Sequence, residues 1–412
     1  MKTYLSVLSV AALLVIAQVA RAWNAGGHAI VDLIAWGELA ESDRAAAVSL
    51  LRDHPRFDQH FLDRMPPDVW KASPAEQDAW AFAHAGTWPD IVRSPRGAVT
   101  REDVALFNRP TWHYINLCHF PAPADRDELA PLLDVNRSTE PPADPDEREQ
   151  NVAQAMGSAM RVLGDGAAPR ARRAVALCWL LHLAGDAHQP AHAGSLYTRD
   201  RFRTGDRGAN QIPVRGRGGN LHSAWDASIT TSRRLNDWRG DAVRLTSRHR
   251  EAGQAATAEL TAKAWLMESF ALGRKLVYAP EVLAAVQRPA SEGDLEPLAL
   301  SPEYLQAAGQ TSQRRAVEAG FRIAAILAGN LPPSDDQLRG FDRPAPVTSL
   351  APRPTTEKPE ATKPAASESA HSHWINTRTG ARHNSTCRWF GKTSHGRYCG
   401  PDEGHACGQC GG

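Results

Sequence analysis

Residues 178–192 read CWLLHLAGDAHQPAH. The apolar run from Ala174 to Leu183 leads directly into the pair His182 and Asp186. Four residues apart, these side chains face the same way on a helix. Residues 170–185, RARRAVALCWLLHLAG, fit one long helix. A polar pair at the end of a buried helix needs partners, because unpaired burial is expensive. Pro190 ends the helix and turns the chain, which can bring His192 back to the same region. Residues 220–226, NLHSAWD, repeat the spacing with His222 and Asp226 on a second helix. One such pair alone reads as an exposed polar helix face. Two pairs together with His192 read as metal ligands, since neutral imidazole and carboxylate are usual ligands of zinc. Two further segments add donors. Residues 112–116, WHYIN, contain His113, and Thr87-Trp88-Pro89-Asp90 places an acid in a turn before a new segment.

Around this core the chain reads as all-α from Trp23 to about Leu331. Residues 27–40 put Ile30, Leu33, Ile34 and Trp36 near helical spacing, and 313–331 fit another long helix. Ser42 is a plausible N-cap for the helix DRAAAVSLLRDH. No run of alternating short strands interrupts the pattern. Such a stretch can bury a substantial core, and we expect one mostly helical catalytic domain over residues 23–335. The full length of 412 residues leaves room for more than that domain.

Lys plus Arg is 47 and Asp plus Glu is 46, which argues against binding nucleic acid by bulk charge alone. It does not argue against a metal-dependent phosphodiesterase. The 16 His exceed what any composition class explains and point to chemistry. Residues 1–22 combine Lys2, a short apolar core and Ala20-Arg21-Ala22, the pattern of a secretory signal peptide. A membrane anchor is the competing reading, but the apolar run is short and holds Ser9 and Gln18. No later segment is long and apolar enough to span a membrane. The expected location is therefore periplasmic or extracellular, and cleavage would leave Trp23 with a free α-amino group.

Residues 343–370 form a Pro/Thr/Ser-rich linker, and 371–412 form a small Cys/His-rich module. Cys407-Gly-Gln-Cys410 resembles a zinc knuckle. Cys387, Cys399, Cys407 and Cys410 either bind one further zinc ion or form two disulfides, since a module this small needs a cross-link. Arg378, Arg382, Arg388, Lys392 and Arg397 suggest attachment or substrate contact. Cys118 and Cys178 read as buried thiols or as one disulfide.

Five motifs occur in order: W-x4-H from Trp23, W-x-D ending at Asp90, HYIN from His113, H-x3-D-x3-QP-x-H from His182, and NLH-x2-WD ending at Asp226. By these the chain resembles the secreted zinc-dependent single-strand nucleases, which share a superfamily with zinc-dependent phospholipase C. The resemblance covers residues 23 to about 331. It implies three zinc ions. One would be held by Asp90, His113, His182 and Asp186, and one by His192, His222 and Asp226. The third would be held by Trp23, His28 and a bridging Asp186, with Trp23 contributing its α-amino nitrogen and carbonyl oxygen. An α-amino group, with a pKa of about 8, deprotonates more readily than Lys.

The resemblance further implies a zinc-activated water cutting single-stranded DNA and RNA to 5′-phosphate products, with 3′-nucleotidase activity as an added expectation. Asp90 and Arg93 then serve catalysis, with Arg93 holding the phosphate by bidentate hydrogen bonds. Tyr114 and Asn116 would stack on and hydrogen-bond to a base, which favours unstacked single strands. No obligate protein partner is expected. The sequence departs from the family's G-D-x-G-G-N pattern at Ala209, so that loop is expected to sit differently. His84, His119 and His188 read as structural or exposed, with His188 pointing away from the Asp186–His192 face.

Two other readings compete. A phospholipase C on the same scaffold is disfavoured, because relatives of that kind space the terminal Trp and its His further apart and use Glu at the last ligand. A non-catalytic wall- or nucleic-acid-binding protein led by the C-terminal module would lose its function on removal of residues 343–412.

Overall fold

A computed structural model describes residues 23–331 apart from 217, 233 and 289–292. In the C-terminal part it describes residues 373–376, 381–385, 390, 396–400 and 403–406. The expected signal peptide and linker lie outside the described residues. The chain divides into two compact units, Met1–Pro352 and Arg353–Gly412. The first is mostly helical.

At its centre runs the helix Arg170–His188, buried on nearly every side from Arg173 onward. A helix that is apolar all round must sit inside the fold. Around it pack the helices Val152–Gly164, Pro74–Ile91, Ala262–Leu272 and Pro302–Leu327. The helix Ala25–Glu38 lies against Pro74–Ile91, Pro302–Leu327 and Leu235–Ala256. Asn24 starts it by accepting a hydrogen bond from Gly27 N–H at 3.0 Å, leaving one fewer unpaired donor at the helix N-terminus. Gly185 permits a close approach to the central helix: a Cβ there would lie 2.7 Å from His28 Nδ1.

The C-terminus of the central helix rests on buried charge. Arg322 donates to His188 Nε2 at 2.8 Å and to both oxygens of Glu268. Arg315 bonds Glu268 and Glu318 at 2.6 Å each, and the carbonyl of Trp265 at 3.2 Å. Ser269 Oγ donates to the Ala187 carbonyl at 2.6 Å. Cations at a helix C-terminus oppose the partial negative charge of its free carbonyls.

Two expectations are corrected. The second helix, Glu41–Leu51, starts one residue before Ser42 and takes Ala40 as its N-cap. Glu41 and Asp43 in its first turn supply the favourable charge instead. Asp90 does not sit in a turn before a new segment. It lies in the last turn of Pro74–Ile91, with Pro89 inside the helix. Proline removes one hydrogen bond there, but Thr87, Trp88 and Pro89 are all buried, and that packing carries the helix to Ile91.

Short strands also occur. Leu117–His119 and Gly194–Leu196 pair in parallel beside His192. In the second unit four strands order as Gly396–Cys399, His373–Asn376, Ala381–Asn384 and His405–Ala406. Among the described residues Cys118, Cys178 and Cys399 are thiols, so Cys118 and Cys178 do not form the disulfide held open above. Cys387, Cys407 and Cys410 lie outside the described residues. No helix among the described residues is long and apolar enough to cross a membrane.

Candidate metal centre

Six structural elements deliver the candidate ligands to one buried region. His28 comes from Ala25–Glu38, Asp90 from Pro74–Ile91, and His182 and Asp186 from Arg170–His188. His192 ends the 3-10 turn Pro190–His192, and His222 and Asp226 lie on Leu221–Asp226. His113 stands in the turn before strand Leu117–His119. Each of these residues is buried except Asp90, which is partly exposed.

Their donor atoms fall into three groups: His28, Asp90 and His182; His113, His182 and Asp186; and His192, His222 and Asp226. Within each group the atoms lie within 4.8 Å of one another. Asp186 ties the groups together. Its oxygens lie 3.1 Å from His113 Nδ1, 3.2 Å from His182 Nε2 and 3.5 Å from His28 Nε2. His222 Nε2 lies 3.6 Å from Asp226. Asp90 thus groups with His28 and His182, a different partition from the set that the resemblance implies.

Hydrogen bonding fixes which nitrogen faces inward. His182 Nδ1 pairs with the Gly86 carbonyl at 2.7 Å. His192 Nδ1 pairs with the His113 carbonyl, and His222 Nδ1 with the Gly208 carbonyl, both at 2.6 Å. A carbonyl can only accept, so each Nδ1 carries the hydrogen and each Nε2 presents a lone pair. This is the outer-shell arrangement of metal-bound histidines. The Nε2 atoms of His28, His113, His192 and His222, with Asp186 Oδ1, are buried and have no hydrogen-bond partner. Such buried, unpartnered atoms are costly unless a cation pairs with them. The donor set of imidazoles and carboxylates suits zinc.

Electrostatics keeps His113, His222 and Asp186 in ligand form. Burial pushes His113 down to about 3, helped by Arg93. It pushes His222 down to about 3, helped by His192. Burial alone would raise Asp186, but His182 and His192 outweigh it and hold the carboxyl well below its usual range. Burial wins at Asp226, raising it well above that range despite the bond from Gln189 Nε2 at 2.8 Å. Gln189 stands inside the quoted motif, yet sequence alone gave it no role. It orients Asp226.

The candidate substrate groups lie at the edge of this centre. Arg93 Nη1 donates to Asp90 Oδ1 at 2.8 Å. Tyr114 is exposed. Asn116 Oδ1 accepts from Ser195 Oγ at 2.8 Å. The same hydroxyl accepts from Gly208 N–H at 2.9 Å, and Gly208 in turn holds His222. Nothing in the sequence singled out Ser195. Trp23 is fully buried, and the next residue's N–H donates to the Asp226 carbonyl at 3.1 Å. The N-terminal turn therefore abuts the third ligand group.

The Ala209 departure is absorbed in the backbone. Ala209 takes φ 66° and Arg207 φ 60°, in the left-handed region that favours glycine. Asp206 anchors this loop by accepting from Leu196 N–H at 2.9 Å and Tyr278 OH at 3.0 Å. His84, His119 and His188 stand outside the ligand groups. His188 bonds the Ala184 carbonyl and Arg322, away from the centre.

A helical body folded around clustered His and Asp donors defines the class of helical proteins with a candidate metal centre. A family model described as S1/P1 Nuclease matches residues 23–331, and the chain belongs to that family. Membership implies a hydrolase acting on phosphodiester bonds, with nucleic acid as substrate. No curated protein matches the chain.

Proposed function

We propose that this protein is an exported zinc-dependent endonuclease that cuts single-stranded DNA and RNA to 5′-phosphate products and also acts as a 3′-nucleotidase. The observation that carries the reading is the buried, unpartnered Nε2 atoms of His192 and His222, whose Nδ1 atoms are tied to carbonyls, together with the unpartnered His28 Nε2 and Asp186 Oδ1. Three zinc ions would be held as the family pattern implies. Asp90, His113, His182 and Asp186 would take one, and His192, His222 and Asp226 another. Trp23, His28 and Asp186 would take the third, with Trp23 using the terminus exposed by leader removal. When bound, zinc there lowers the pKa of water towards neutrality and offsets phosphate charge.

The chain's own groups do the rest. Asp186, held ionised, spans the ligand groups and fixes their spacing. Gln189 holds Asp226 to one orientation. Arg93 spends one nitrogen on Asp90 and keeps further donors for a phosphate oxygen, where charge builds in the transition state. Tyr114 offers an exposed ring that a base can stack on only after leaving a duplex. Asn116 uses its oxygen on Ser195, which leaves its amide hydrogens to donate to a base edge.

The test is cleavage of single-stranded DNA beside turnover of phosphatidylcholine, with end-group analysis of the products. We expect strand cleavage with 5′-phosphate ends, lost in EDTA and restored by zinc. Lipid turnover without strand cleavage would reverse the assignment.

A further inference from the structure

The second unit carries an aromatic row that the metal centre does not use. In its sheet Trp374 stands opposite Tyr398 on one neighbouring strand and opposite His383 on the other. Residues directly opposite share a face, so the three side chains form one row. His383 is buried, Trp374 is half-buried, and Tyr398 on the edge strand is 49% exposed. The Trp374 and Tyr398 rings meet edge to face at 5.2 Å, and Phe390 reaches Tyr398 at 5.8 Å. Packing from two sides holds the tyrosine ring while leaving half of it open to solvent.

The composition of this module is one-sided in charge. Residues 371–412 hold five Lys or Arg and two acids, Asp402 and Glu403. The rest of the chain beyond residue 22 has more acids than bases. A basic, aromatic module on a near-neutral chain matches a polyanion that has flat rings to stack. Arg397 pairs with Glu403, but both are exposed, and such a pair opens at little cost.

We propose that the Tyr398–Trp374 row is a stacking site for single-stranded nucleic acid, which raises the local concentration of strand near the catalytic unit. The inference rests on the nuclease reading for its purpose, but the site stands on its own ring geometry and charge. A short substrate that cannot reach both units gains nothing from it, while a long strand does.

The experiment uses the full chain in an Asp186→Asn background, where cleavage is stopped. The probe is a fluorescein-labelled oligodeoxythymidylate read by anisotropy. Tyr398→Leu keeps apolar bulk but removes the flat ring, and should weaken binding about tenfold, the effect of one lost stack. Tyr398→Phe should bind like the parent. With Asp186 restored, Tyr398→Leu should raise KM on long single strands and leave dinucleotide cleavage unchanged. Binding within twofold of the parent in Tyr398→Leu would overturn the proposal. So would equal loss in Tyr398→Phe, or a loss confined to sedimentation with purified peptidoglycan. If the parent cleaves neither long single strands nor the dinucleotide, the nuclease reading fails, and the anisotropy result still judges the stacking site.

Discussion

Arg93 holds Asp90 and is the proposed phosphate contact. Arg93→Ala should lower kcat on single-stranded DNA by about 10²–10³-fold, the usual loss when one oxyanion donor is removed. Zinc content should be unchanged, and a parallel loss of zinc would assign Arg93 to the metal cage instead. Ala209 tests strain at the neighbouring loop. Its φ of 66° costs an L-residue about 1–2 kcal/mol. Ala209→Gly should raise Tm by about 2 °C, since about 1 kcal/mol moves a domain of this size by that much. An unchanged or lower Tm would contradict the strain. Asp32 gives a pH-dependent case. Its carboxyl is buried in Ala25–Glu38 with neither oxygen partnered, and burial raises it well above the usual carboxylate range. A raised folded-state pKa means stability present at acid pH that fades as pH climbs through that value. Asp32→Ala should therefore gain Tm on the parent as pH rises from 5 to 8. A gap that is constant across that range would contradict it.

At the scale of elements, the Arg170–His188 helix carries two candidate ligands and ends on Arg315, Arg322 and Glu268. Arg322→Leu strips Glu268 of its bidentate partner and His188 of its donor. The loss should be about 1–3 kcal/mol, because Glu268 is 40% exposed and keeps Arg315 while His188 loses a charged donor, and chemical denaturation measures it. A change under about 1 kcal/mol would show that the network is replaceable. This network was invisible in sequence, because it depends on which helices meet. The ligand pairs were legible for the opposite reason: His182 with Asp186, and His222 with Asp226, need only the local period of one helix. Asp90 was visible as a residue and misread as an element, because Pro89 signals a break that buried Trp88 overrides. Ala209 was legible as a departure, but its left-handed backbone was not.

At the scale of the molecule, the helical unit holds all the candidate ligands of the His/Asp centre. A chain ending at residue 342 should keep its turnover of short substrates, and assay of a dinucleotide checks this. Loss of that turnover would put catalysis under the control of the Cys/His-rich tail. The tail was legible in composition alone; its four-stranded sheet was not, because its strands are only two to four residues long. The account depends most on metal at the His/Asp centre. The most direct measurement is an anomalous difference map collected at the zinc edge from crystals of the active, leader-free protein. It should show three peaks among Trp23, His28, Asp90, His113, His182, Asp186, His192, His222 and Asp226. An active protein with no peak among those nine residues would contradict the account.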